Sequence, residues 1–145
     1  MQTYTQDNLK LVKSFYDAGA SGDFNKARPL LDPNVQWIEP KVSGLWFRGT
    51  HSGPEAVFKE VIEPTMSHIA DFRVEISQFF PVGDHVIAIG RFTGRGKNTG
   101  KELNAATAHV WTMRNGRAVR FEAFHDEANW LQALGQQRET ERMAA

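Results

Sequence analysis

The chain contains no cysteine, so disulfide frameworks, thiolate nucleophiles and cysteine-bound metals are all excluded. It has no excess charge of either sign, since 17 Lys and Arg are matched by 17 Asp and Glu. Without a global field, neither nucleic acid nor an anionic membrane surface has an electrostatic reason to bind. Long apolar runs are missing as well, which argues against a membrane-spanning helix. Met1–Lys10 is polar and lacks a secretory apolar core, so the expectation is a cytoplasmic protein. Repeats and low-complexity linkers are not found. What remains is a chain of 145 residues, long enough for one domain (1–145) with a substantial core.

The most informative stretch is Ala105–Asp126, AATAHVWTMRNGRAVRFEAFHD. Two alternating strands flank Arg114-Asn115-Gly116, a strong hairpin signal. A two-residue Asn-Gly turn pairs Arg114 with Arg117 and puts His109 and Trp111 on the face of Arg120 and Glu122. A three-residue loop with Gly116 as a left-handed bulge pairs Met113 with Arg117 instead. Then Ala105, Thr107, His109, Trp111 and Met113 share a face with Val119, Phe121, Ala123 and His125. A one-residue slip inverts a strand's faces, so the register with one mostly apolar face is expected, and with it the three-residue loop. That face sets two histidines among apolar groups, as the wall of a small-molecule pocket does.

Elsewhere the spacing predicts a helix over Asn8–Ala20, with Leu9, Val12 and Tyr16 as its stripe, and a short helix over Phe24–Leu31 capped by Asp23. Asp32-Pro33-Asn34 reads as a turn before a strand over Val35–Glu39, which Pro40 ends. Lys41–Ser52 reads as a loop holding Trp46, Phe47 and His51. A third helix starts at Pro54, and Pro64 kinks or ends it. Strands follow over Phe72–Phe80 and His85–Gly94, a Gly94–Gly100 connection leads into the hairpin, and Asp126 caps a closing helix to Leu134. The core covers about 8–134, and 135–145 is a polar tail. The fold class is α+β: a roll whose strongly curved, mixed or antiparallel sheet carries three N-terminal helices over its concave face, around a pocket.

Several of these stretches resemble a known family. Gly22-Asp23 followed by Leu30-Leu31-Asp32-Pro33-Asn34-Val35 and Trp37 is similar to the opening of SnoaL-like and ketosteroid-isomerase-like proteins. Gly49-Thr50-His51-Ser52-Gly53-Pro54-Glu55-Ala56-Val57 resembles the lead-in to their third helix. His109-Val110-Trp111-Thr112 with Asn115-Gly116-Arg117 resembles their last hairpin. The resemblance implies the cone of the nuclear transport factor 2-like superfamily, a deep pocket and often a dimer. Glu39-Pro40 occupies the place of the isomerases' proton-moving carboxylate. Their helix tyrosine corresponds to Phe15, beside Tyr16, and their late-strand acid falls near His109. The acid–base aspartate of the SnoaL cyclases lands on Ala123, a departure that counts against ring closure by that mechanism. The superfamily also includes non-catalytic proteins, so the fold does not choose the chemistry.

Glu39 is the first candidate catalytic residue, because a carboxylate among aromatic rings is destabilised as its charged form, which suits a general base. Alternatively it is a strand-end glutamate paired with Arg48 or water. His109 is the second, either a donor to a ligand oxygen or a core histidine satisfied by a carbonyl. Tyr16, Trp37, Trp46, Trp111, Phe121, Ala123 and His125 are candidate ligand contacts, as is His51, whose loop crosses the pocket mouth in the implied fold. The histidines show no HExxH spacing, so no metal is expected, and no cofactor. Gly94–Gly100 lacks the ending of a phosphate loop, and there is no serine elbow. Three functions stay open: a cofactor-independent isomerase-, cyclase- or hydrolase-type enzyme acting by general acid–base chemistry on a small apolar carbonyl or aromatic metabolite, a non-catalytic binder of such a metabolite, or an assembly module. A homodimer through the exposed sheet face suits all three.

Overall fold

The computed structural model of the chain describes residues 4–136. The expected polar tail therefore lies, from residue 137 onward, outside the described residues. Helix α1 (Tyr4–Ala20) buries Asn8, Val12, Phe15 and Tyr16 on one stripe. It stops at Gly22, whose φ of 86° suits glycine, and the amide of Asp23 closes back on the carbonyl of Ala18. Asp23 then caps a 3₁₀ turn (Phe24–Leu30) by accepting from the amide of Asn25.

Strand β1 (Leu31–Glu39) starts earlier than expected. Asp32-Pro33-Asn34 does turn, with Asp32 Oδ1 accepting from the amide of Asn34, but as an irregularity inside the strand. Strand β2 (Gly49–Ser52) pairs back on β1. The third helical stretch begins as α2 (Pro54–Val57), passes through a π turn (Phe58–Ile62) and ends as α3 (Glu63–His68). Pro64 supplies no amide to the ladder, and the amide of Glu63 reaches five residues back to Phe58, so a widened turn precedes the proline and the helix continues past it to His68. Long strands β3 (Ile69–Val82), β4 (His85–Gly96), β5 (Glu102–Arg114) and β6 (Arg117–His125) follow, and α4 (Glu127–Ala133) closes the fold, capped by Asp126.

The six strands form one sheet in the order β2-β1-β6-β5-β4-β3, antiparallel except where β1 runs parallel to β6. This is the expected α+β class with a mixed sheet. Two parts of that expectation are corrected. Only two helical segments precede the first strand, and the third follows β2. The sheet, moreover, is not strongly curved. Pairing of β4 with β5 runs unbroken from His85 to Arg95, and bulges displace the neighbouring ladders only locally.

The hairpin also differs from expectation. Asn115 and Gly116 have φ of 51° and 77°, and Arg114 pairs with Arg117, so the turn is the two-residue form. A register shift between Thr112 and Met113 leaves Val119 without a partner. It restores the expected apolar face from there on, with Trp111 opposite Phe121, His109 opposite Ala123 and Thr107 opposite His125. The apolar face is reached through a bulge, not through a longer loop.

Candidate functional site

Alternate residues of a strand point the same way, so Thr107, His109 and Trp111 of β5 all face the helices. Trp37 of β1 sits beside Phe121 of β6 in the parallel pair, their rings stacked 3.7 Å apart. Two residues on, the same face of β1 presents Glu39, and β6 ends with His125. From above, α1 brings in Tyr16. These side chains surround a partly open cavity of about 60 Å³, lined by Tyr16, Trp37, Glu39, His109, Phe121 and His125 among others. Its walls are almost wholly aromatic and aliphatic.

Glu39 is 6% exposed. Its Oε2 accepts from the indole N–H of Trp37 at 2.7 Å. Its Oε1 lies 3.3 Å from Nε2 of His125, close enough for an ion pair, with both side chains buried. The alignment is too poor for a hydrogen bond, and both atoms are otherwise without a partner. Two ionisable groups thus face each other in an apolar cavity through the one oxygen and the one nitrogen that no hydrogen bond satisfies.

A second network runs beside the pair. Trp111 Nε1 donates to Tyr16 Oη at 2.8 Å, and Tyr16 Oη lies 2.7 Å from His109 Nδ1. His109 Nε2 lies 3.0 Å from Thr107 Oγ1, which donates to the carbonyl of Phe124 at 3.1 Å. Burial holds the Tyr16 phenol protonated, well above its ordinary range, against the smaller opposite effect of the Trp111 N–H. Burial likewise pushes the His109 pKa down to about 3, and the charge His125 can carry adds to the effect, so His109 is a neutral imidazole.

The remaining candidates lie elsewhere. Trp111 is fully buried behind Tyr16 and belongs to the core. Ala123 pairs with His109 and is buried, but does not line the cavity. Trp46 donates to Thr65 Oγ1 at 3.1 Å and stacks on His68. His51 sits in β2, not in a loop, opposite Trp37. Its two nitrogens each lie 2.7 Å from an acceptor, the carboxylate of Glu60 and the carbonyl of Phe47, so it ties the 40–49 segment to the π turn.

Sequence reasoning did not single out Thr65, Phe92 or Trp130 as cavity walls, nor Thr107 as the hydroxyl joining the two histidines. Thr107 had a signal, its place two residues before His109 on the expected face. Trp130 had none, because only the packing of α4 brings it under the sheet. Among the described residues no cluster of His, Asp and Glu is arranged to hold a metal ion, and no helix is long and apolar enough to cross a membrane.

Solved structures match this fold over nearly their full length. An NTF2-like protein of unknown function from Burkholderia pseudomallei is 28% identical, with a TM-score of 0.81 over 88% of this chain and 97% of that one. An NTF2-like protein from Burkholderia thailandensis is 27% identical, with a TM-score of 0.81 over 92% and 98% of the two chains. TerC, co-crystallised with polyporic acid, is 23% identical, with a TM-score of 0.80 over 90% and 99%. Among curated proteins, none is significantly similar in sequence. The family profile described as the SnoaL-like domain matches residues 12–121, and the chain belongs to that family.

Proposed function

We propose that the chain is a cofactor-independent enzyme in which Glu39 and His125 move a proton on a small, largely apolar carbonyl or aromatic compound. One observation carries this reading. A buried carboxylate oxygen and an imidazole nitrogen face each other at 3.3 Å in an apolar cavity, with no other partner for either. Those two atoms are left to meet a polar atom of whatever enters, because no hydrogen bond satisfies either of them. Tyr16 and His109 commit their protons to each other and to Thr107. Their part in this reading is to fix the wall against which a ligand rests.

The cavity of about 60 Å³ is less than half the ~150 Å³ of a dry cavity that takes up benzene. A ligand with a ring therefore displaces side chains as it enters, and half-exposed Met66, which lines the cavity, is the most adaptable of them. The test is a thermal-shift screen with small ketones, phenols and polyketide-like aromatics, polyporic acid among them. Ligand at a hundred times its dissociation constant stabilises the fold by about 2.7 kcal/mol. Each compound that binds is recovered and analysed for chemical change. Conversion by the wild type, with binding but no conversion by Glu39→Gln, is the expected result, and equal conversion by the variant rules Glu39 out.

The smallness of the cavity also favours a second reading, a binding protein that closes around its ligand and returns it unchanged. Under either reading a second copy of the chain covers the outer sheet face. Phe124, Ala108 and Ile89 form a row across β6, β5 and β4 there, and Phe124 is 52% exposed.

A further inference from the structure

We propose that Thr107 is a positioning residue that fixes the tautomers of both cavity histidines, and so leaves Nε2 of His125 as the nitrogen that exchanges a proton beside Glu39. For its catalytic consequence this rests on the acid–base reading above, but the proton assignment stands on the hydrogen bonds alone.

The assignment begins at Trp111, whose indole nitrogen can only donate, and which gives its hydrogen to Tyr16 Oη at 2.8 Å. The phenol's own hydrogen then points to His109 Nδ1, 2.7 Å away, so that nitrogen is an acceptor. A neutral His109 therefore carries its proton on Nε2 and donates it to Thr107 Oγ1 at 3.0 Å. Thr107 has one hydroxyl hydrogen, and the carbonyl of Phe124, which can only accept, takes it at 3.1 Å. Against the oxygen's remaining lone pair lies His125 Nδ1, at 3.4 Å. That contact is attractive only if Nδ1 bears a hydrogen.

With its Nδ1 hydrogen held by Thr107, His125 presents Nε2 to Glu39 Oε1, 3.3 Å away. Nε2 is therefore the nitrogen of His125 left to give a proton to, or take one from, a ligand beside Glu39. Each such transfer changes the charge of the pair by one and that of the ligand by the opposite amount. Thr107 is 4% exposed and touches both rings, so no water competes for its role.

The test is nitrogen-15 NMR of the imidazole rings at neutral pH, with the five histidines assigned by single His→Gln variants. In the wild type, His109 is expected to carry hydrogen on Nε2 alone and His125 to carry one on Nδ1. Thr107→Val removes the hydroxyl at constant shape and is expected to lose the Nδ1 hydrogen preference of His125, whereas Thr107→Ser keeps it. A bare Nδ1 on His125 in the wild type, or an unchanged pattern in Thr107→Val, overturns the proposal. Should Thr107→Val fail to fold, the wild type and Thr107→Ser decide it: a hydrogen on Nδ1 of His125 in both supports the proposal, and its loss in either overturns it. If the tautomers hold and no compound is ever converted, it is the enzymatic reading that fails, not this one. For a converted compound, Thr107→Val is expected to lower kcat at little changed KM, and Thr107→Ser to restore it.

Discussion

His109 is buried as a neutral imidazole, and this has a consequence for stability. In an unfolded chain a histidine takes up a proton near pH 6.5, while the folded protein keeps His109 unprotonated down to about 3. Between those limits the unfolded state binds more protons, so stability falls as pH falls, by about 1.4 kcal/mol per pH unit. Above 6.5 the contribution is complete. The ionisable groups near its ring are Tyr16 from α1 and His125 from β6, with the Thr107 hydroxyl between the histidines. Urea unfolding at pH 6.5 and pH 5.0 is expected to show this loss in the wild type and a smaller one in His109→Gln. An equal loss in both would mean that His109 titrates freely in the fold. At this scale much was legible: Glu39 stood out before Pro40, and His109 and His125 followed from strand alternation. Thr107 lay on the same face, but a hydroxyl has no sequence mark that separates a hydrogen-bond hub from a strand residue.

At the level of elements, the hairpin shows how a sound physical argument can reach the right face by the wrong turn. Asn-Gly favours the two-residue turn, and the apolar face demands a shifted register; both demands are met because Val119 bulges out. A bulge depends on what the two strands pack against, which a local sequence does not contain. A second irregularity, between Ile76 and Gln78 of β3, faces Gly90 of β4. A Cβ on Gly90 would stand 2.0 Å from the carbonyl oxygen of Glu75 and 2.7 Å from the Cα of Ile76. Backbone cannot yield as a side-chain tip does, so Gly90→Ala is expected to cost about 1–3 kcal/mol, read from the urea midpoint. A variant as stable as the wild type would show that β3 shifts easily against β4.

For the whole molecule, the order of helices and strands was readable from periodicity, and the family from its motifs. The absence of strong curvature in the sheet and the small volume of the cavity were not, because both depend on how six strands and their covering helices settle together. The outer face is where the molecule meets its surroundings. Phe124 projects from a row of apolar residues flanked by the Arg120–Glu122 pair, an apolar centre with a charged rim. Sedimentation equilibrium is expected to find a dimer for the wild type and a monomer for Phe124→Glu, with the fold unchanged. A monomeric wild type at micromolar concentration would remove the dimer from the account.

The central claim is that the Glu39–His125 pair moves a proton, and deuterium exchange tests it most directly. A ketone found to bind is incubated with the protein in heavy water, and its mass is followed over time. The account predicts deuterium at the carbon beside the carbonyl with the wild type, faster than in buffer, and no acceleration with Glu39→Gln although that variant still binds the ketone. Exchange at the buffer rate for every bound ketone, or equal acceleration by Glu39→Gln, would contradict it.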